Sequence, residues 1–351
     1  MTHWLELSKA ERVDAVIALG LPKFRAAQLS THLFEHLSDD PDTWTDIPKS
    51  LRAQLAEQFL SPLLSEVTAL RADRGKTVKT LWRLSDGNLI ESVLMRYPGR
   101  DTLCISCQAG CGMACPFCAT GQGGLQRALT VAEMALQVFR AAQACARGDL
   151  PGGPGRLSHV VFMGMGEPMA NFPRVLATLK LLTAPTPDGF GLSARNITVS
   201  TVGLVSGIKR LADSGIPVTL AISLHAPDDA LRNELCPINK RIPIAEVIAA
   251  AHDYFQRTGR RVSIEYALIR DINDQAWRAE RLANILNQGG HAWVHVNLIP
   301  LNPTPGSKWT ASRPDVEAEF IRRLERAHVT VTLRDTRGSD IDGACGQLAT
   351  S

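Results

Sequence analysis

The sequence predicts an α/β fold, a partial (βα)6 barrel of the TIM-like kind, preceded by a small N-terminal helical domain and a β-hairpin extension. Three observations predict it. From residue 101 onward an apolar run, a loop and a helix-like stretch repeat six times, the pattern of a parallel sheet with crossover helices. Ahead of that, two runs flank Ser85-Asp86-Gly87-Asn88, a hairpin turn signal. Ahead of those, apolar residues recur at helical spacing.

Residues 1–70 read as helices. Ser8 and Glu11 suit a capping box, and Val13, Val16, Ile17 and Leu19 form the apolar face behind it. Leu21-Pro22 ends that helix. A second spans Lys23–Leu37 with Phe24, Leu29, Leu33 and Phe34 apolar, and a third spans Lys49–Leu60. Lys23, Arg25, Lys49 and Arg52 suit an RNA-docking face and a solvated helix surface equally well. Arg71–Thr77 reads as a polar linker, followed by hairpin strands at Val78–Leu84 and Leu89–Tyr97. Glu91 lies among apolar neighbours on the second, where a carboxylate is either paired or functional.

The barrel strands are predicted at Thr102–Ser106, His159–Met163, Ile197–Ser200, Val218–Ser223, Ser263–Leu268 and Trp293–Ile299, with Val329–Leu333 trailing. Helices are predicted at Thr130–Ala146, Phe172–Leu182, Val205–Ala212, Ile244–Gln256, Asp274–Asn287 and Pro314–Ala327. The divisions expected are 1–75 helical, 76–100 hairpin, 101–335 barrel and 336–351 tail.

Composition excludes several classes. In 351 residues, 45% hydrophobic and 21% charged residues describe a globular chain long enough for one large and one small unit. The apolar runs are too short to span a bilayer. The start, MTHWLELSKAERVD, lacks the apolar core of a signal peptide, which leads to a cytoplasmic expectation. A net charge of +3 permits a nucleic-acid partner without requiring one.

Five of the eight cysteines crowd into Cys104–Gly124, too unevenly for a disulfide framework. Cys111, Cys115 and Cys118 form C-x3-C-x2-C, a spacing that ligates three irons of a 4Fe–4S cluster and leaves the fourth open. A structural zinc site built from Cys104–Cys107 and Cys115–Cys118 is the competing reading of the spacing. The triplet, with Pro116-Phe117 inside it, resembles the signature of radical S-adenosylmethionine (SAM) enzymes, whose open iron chelates SAM.

In βα barrels reacting groups sit on the loops that follow the strands. Those loops carry Gly166-Glu167, Ser200 within VSTVG, Ser223-Leu224-His225-Ala226-Pro227 and Ile299-Pro300-Leu301-Asn302-Pro303. A carboxylate there suits an ammonium, hydroxyls suit a ribose or cap a helix, and Asn302 suits an adenine edge. A tight turn or a hydrogen-bonded structural histidine explains any single loop as well. Taken together with Asp342-Gly343-Ala344-Cys345-Gly346-Gln347-Leu348 they resemble the RlmN family of dual-specificity rRNA/tRNA adenosine C2 methyltransferases, within a radical SAM barrel.

The resemblance implies a catalytic set of Glu91, Cys104 and Cys345, with Cys111, Cys115 and Cys118 on one 4Fe–4S cluster. It implies SAM contacts at Gly166, Glu167, Ser200, Ser223, Leu224, His225 and Asn302, with two SAM consumed per turnover. One SAM methylates Cys345, and the second yields a 5′-deoxyadenosyl radical that takes a hydrogen from that methyl. The carbon then joins adenine C2, Glu91 accepts a proton, and Cys104 resolves the adduct as a disulfide with Cys345. The implied partners are 23S rRNA, tRNA and an electron donor such as a flavodoxin or ferredoxin, with a monomeric enzyme and no membrane. A sister resistance family (Cfr-like) methylates C8 of the same rRNA adenosine with the same residues. A zinc-stabilised, non-catalytic RNA-binding protein is the reading from another class. Cys107 is given no role, and Cys145 and Cys236 are read as inert thiols.

Overall fold

The computed structural model describes residues 2–302, 304, 307–335 and 337–348. Pro303 of the expected Asn302-Pro303 loop, Thr336 at the expected start of the tail, and the last three residues lie outside them. Ten strands form one sheet in the order β1-β2-β3-β4-β7-β8-β9-β10-β11-β12. Four of them, β1 (Leu64–Ala72), β2 (Thr77–Leu84), β3 (Leu89–Tyr97) and β4 (Arg100–Cys104), run antiparallel. β5 (Gln108–Gly110) and β6 (Leu125–Ala128) make a separate two-stranded sheet. From β4 the main sheet is parallel through β7 (Leu157–Phe162), β8 (Ile197–Thr201), β9 (Thr219–Ser223), β10 (Val262–Leu268), β11 (Val294–Pro300) and β12 (Val331–Leu333).

Helices at Val131–Arg147, Phe172–Thr183, Val205–Asp213, Ile244–Thr258, Ala276–Asn287 and Pro314–Arg326 return the chain from one parallel strand to the next. These are six βα units and a short trailing strand, an open barrel. Its strands bury Val160, Ile197, Leu220, Ile222, Ile264 and Val296 against the helices, as a sheet covered by crossover helices requires. Burial on that scale, at roughly 25 cal/mol per Å² of apolar surface, is the main force closing the barrel.

The front helices lie at Lys9–Ala18, Phe24–Phe34 and Lys49–Phe59. Ser8 and Glu11 make both bonds of the capping box. Ile17 and Phe24 depart from the expected apolar faces, standing 52% and 53% exposed. Residues 64–72, expected as the end of the helical stretch and the start of a linker, are strand β1 instead. Most of its residues are exposed, so no buried face imprints a period on the sequence. Two of the front-domain cations serve the local chain: Arg25 donates to Asp46 O, and Arg52 to Ile47 O and Asp42 O.

Candidate active site

The C-terminal ends of the parallel strands open onto one cavity. Its wall contains Cys111, Cys115 and Cys118 from the loop after β4, Gly166 and Glu167 after β7, and Ser200 and Ser223 at the ends of β8 and β9. His225, Asn302 and Cys345 complete it. A second cavity adjoins the first and is lined by Val93, Met95, Tyr97, Cys104 and the tail residues Gly343 to Cys345. Cys345, Asn302 and Arg334 line both.

The loop carrying the cysteine triplet is folded tightly. The Cys118 amide donates to Cys115 O at 3.1 Å, and the short helix Ala119–Gln122 follows at once. A Cβ on Gly121 would meet Cys115 O at 2.9 Å, so only glycine lets the loop close here. Burial pushes the Cys111 thiol up to about 11 and raises Cys118. A hydrogen bond with the fully buried Cys236, then burial, lifts Cys115 well above the usual range. Metal binding at these sulfurs therefore displaces protons. Three thiols on one cavity wall are a soft donor set suited to an iron–sulfur cluster. Of the four cysteines in the competing zinc reading, Cys115 and Cys118 line this cavity, Cys104 lines the adjoining one and Cys107 lines neither.

Glu167 is buried, and burial raises its pKa. Its oxygens accept from Met169 N and Val202 N, both at 2.9 Å, which aims the carboxylate across the cavity. Gly166 has φ of 105°, and a Cβ there would lie 2.5 Å from Gln108 Cβ. Ser200 Oγ and Ser223 Oγ are 3.2 Å apart. His225 Nδ1 accepts from Ala267 N at 3.0 Å, which leaves the proton on Nε2. Burial, and then Arg232, hold that imidazole down to about 3, so it is neutral at physiological pH. Asn302 Nδ2 donates to Cys345 O at 3.0 Å and so holds the tail.

The tail is docked along its length. Ala119 N donates to Gly346 O at 2.8 Å, Thr120 Oγ1 to Leu348 O at 2.6 Å, and Gly338 N to Asp73 Oδ2 at 3.2 Å. Cys345 is exposed and lines both cavities. Desolvation there raises its thiol, while the Arg334 guanidinium opposes the rise. Burial pushes Cys104 up to about 12.

Two expected residues lie outside both cavity walls. Leu224 is fully buried in the core, its carbonyl accepting from Arg232. Glu91 lies outside the wall of the second cavity, 3.0 Å from Lys79 Nζ. Cys107 is buried away from the cavity, its carbonyl accepting from Leu129 N and Asn171 Nδ2. Two wall residues escaped the sequence reading. Glu265 interrupts the apolar run of β10, and its carboxylate accepts from Ser263 Oγ and Asn297 Nδ2. Arg334 directly follows β12, where the strand-end rule points.

The Radical SAM superfamily description matches residues 105–283. A probable dual-specificity RNA methyltransferase RlmN from Nocardioides sp. is 62% identical over 348 residues, covering 99% of this chain and 93% of that one. This chain belongs to the RlmN family of radical SAM methyltransferases. A second relative of that description, from Cutibacterium acnes, is 58% identical over 354 residues, 99% of this chain and 87% of its own. The crystal structure of a radical SAM methyltransferase from Sphaerobacter thermophilus superposes with a TM-score of 0.94 at 43% identity, covering all of both chains. The expected fold class is thereby borne out. Among the described residues no helix is long and apolar enough to cross a membrane.

Proposed function

We propose that this chain methylates carbon 2 of an adenosine in 23S rRNA, at the peptidyl transferase centre, and in tRNA beside the anticodon. The observation that carries the reading is the place of Cys345, whose side chain borders both the cavity of the cysteine triplet and the cavity of Cys104. The name shared by the relatives, dual-specificity RNA methyltransferase, supports two RNA substrates.

In this reading Cys111, Cys115 and Cys118 hold one 4Fe–4S cluster. Gly166, Glu167, Ser200, Ser223, His225 and Asn302 hold SAM, two molecules per turnover, and Leu224, whose side chain is buried, contributes through its backbone at the end of β9. When bound, cluster and SAM supply the methyl group and the one-electron chemistry. Glu167, kept in place by two backbone amides, offers its remaining lone pairs to SAM's ammonium. The Nε2–H of His225 donates into the cavity from an imidazole held neutral.

Cys345 takes up the methyl group on its sulfur with loss of the thiol proton, a loss that burial opposes and the guanidinium of Arg334 favours. From the same wall it then presents that carbon to the adenine. Glu91 accepts the C2 proton as the adduct gives up one electron to the redox system; the Cys104 thiolate then attacks the Cys345 sulfur to form a disulfide, the carbon–sulfur bond breaks toward carbon, and a proton completes the methyl group of the product. An external electron donor of the flavodoxin or ferredoxin type serves the cluster, and a dithiol reductant reopens that disulfide. The enzyme works as a cytoplasmic monomer. Adenosines that are unpaired and splayed out are the substrates such an enclosed site admits.

The test is an anaerobic reaction of cluster-loaded protein with methyl-labelled SAM and unmodified 23S rRNA or tRNA, followed by nucleoside mass spectrometry. Label in 2-methyladenosine from both RNAs is expected. Label in 8-methyladenosine overturns the regiochemistry, and RNA without label overturns the substrate.

A further inference from the structure

Lys79 is a lysine inside a sheet, and it is buried. The register of the antiparallel strands explains where it points. Lys79 on β2 pairs with Val93 on β3, and Leu81 pairs with Glu91, so Lys79 and Glu91 are diagonal neighbours on one face. Val93 in turn pairs with Cys104 on β4, which puts Cys104 on that same face. Both Val93 and Cys104 line the second cavity. This face of the hairpin extension is therefore the floor beneath the Cys345 tail.

Among the described residues the ammonium makes two contacts there. Its Nζ lies 3.0 Å from Glu91 Oε1 and donates to the backbone carbonyl of Asp342 at 3.4 Å. Asp342 stands three positions before Cys345, in a left-handed turn with φ of 51°. Its carboxylate accepts from Gln347 Nε2, and Gln347 Oε1 accepts from Ala344 N, so the turn and the Cys345 segment move as one piece. Stability alone is a weak reason for this arrangement. Taking an ammonium and a carboxylate out of water costs several kcal/mol for each ion, and apolar residues of similar volume often serve as well. An ammonium differs from them in offering three hydrogens to fixed acceptors.

We propose that Lys79 is a positioning residue, one ammonium that holds the Glu91 carboxylate and the Cys345-bearing tail at a set distance from each other. The inference rests on the roles given above to Glu91 and Cys345. Once the Cys345 carbon is joined to the base, the C2 proton lies where the tail puts it, and the acceptor lies where Lys79 puts it. Losing the ammonium misplaces each relative to the other, and errors of about 1 Å in such geometry cost about 10²-fold in rate.

The experiment is a double-mutant cycle between Lys79 and Glu91 on cluster-loaded protein, reading 2-methyladenosine formation and, on denaturing gels, the covalent protein–RNA adduct. Lys79→Met and Lys79→Gln are each expected to lose about 10²-fold in turnover and to accumulate adduct, as is expected of Glu91→Gln. Lys79→Arg, which reaches the same two acceptors with charge intact, is expected to recover most of the rate. The Lys79→Gln/Glu91→Gln double variant is expected to be no slower than Glu91→Gln alone, because residues acting as a unit are not additive. Lys79→Gln keeps size and a donor, so it guards against a Met variant that fails to fold. Turnover of both Lys79 variants within about twofold of wild type, beside a crippled Glu91→Gln, overturns the inference and leaves the proposed function standing. Losses that multiply in the double variant, or a slow Lys79→Gln with no adduct, also overturn it. A Glu91→Gln enzyme at wild-type rate removes the assigned role of Glu91 and this inference with it.

Discussion

Replacing Arg232 by methionine should loosen, from behind, the cavity proposed to hold SAM. Arg232 is fully buried, and its guanidinium ties together three segments that border the site. Nε donates to Leu224 O at 3.0 Å, Nη1 to Asn239 Oδ1 at 2.8 Å, and Nη2 to Val202 O at 2.6 Å and Ser223 O at 3.2 Å. Each hydrogen bond from a charged donor contributes about 1.5–3 kcal/mol, and a buried carbonyl left alone costs about 1–3 kcal/mol. Removing the guanidinium also removes its own desolvation cost, several kcal/mol. The balance is a loss of about 3–5 kcal/mol, set by the four neutral acceptors left without that donor. In a chain of this size that lowers Tm by about 2 °C per kcal/mol, or about 6–10 °C. Ser223 and the loop at Val202 lose their anchor, so SAM affinity should fall about 10–100-fold, as for other lost supporting contacts around a ligand. Arg232→Lys keeps the charge but not the planar fork and should fall between. Anaerobic thermal melts and SAM titrations of the three proteins measure this. A methionine variant that melts within about 2 °C of wild type and binds SAM normally would refute the reasoning.

Three further outcomes follow from the same geometry. Burial, then Arg140, holds His3 down to about 4, so the unfolded chain binds the extra proton between pH 6.5 and 4. Stability is then lost as pH falls through that window, and His3→Asn, which keeps a cap for Leu5 N, should flatten the loss by about 1–3 kcal/mol in urea melts at pH 7 and 4.5. Gly166→Ala forces a Cβ to within 2.5 Å of Gln108 Cβ at a left-handed φ, and should abolish measurable SAM binding by calorimetry while the cluster still loads. Replacing Cys111, Cys115 or Cys118 singly by alanine should cut iron from about four per chain to near zero on reconstitution, whereas Cys145→Ala should leave it unchanged.

Much of the barrel was legible because parallel strands and their helices carry opposite periods. The predicted strands at His159–Met163 and Ser263–Leu268 fall within two residues of β7 and β10. Helix Asp229–Leu235 was not legible, since its seven residues are too few for a period to emerge. β1 was missed because an exposed edge strand has no buried face to betray it. In the site, the triplet and the loop residues Glu167, Ser200, Ser223 and Asn302 sit at strand ends, a place that topology makes predictable. Lys79 and Glu265 were not singled out, because the partners that give them meaning, Asp342 for one and Asn297 for the other, are joined to them only by the fold. Cys345 was visible only through resemblance. No local pattern tells that a tail will be threaded between Ala119, Asn302 and the floor of the hairpin.

The proposed function depends on Cys345 as the carrier of the methyl group between two cavities. The most direct measurement is tandem mass spectrometry of the C-terminal peptide after anaerobic incubation of cluster-loaded protein with methyl-labelled SAM and no RNA. A single labelled methyl on the Cys345 sulfur is predicted, followed by its disappearance into RNA when substrate is added. Protein that methylates RNA while Cys345 stays unlabelled throughout would contradict the account.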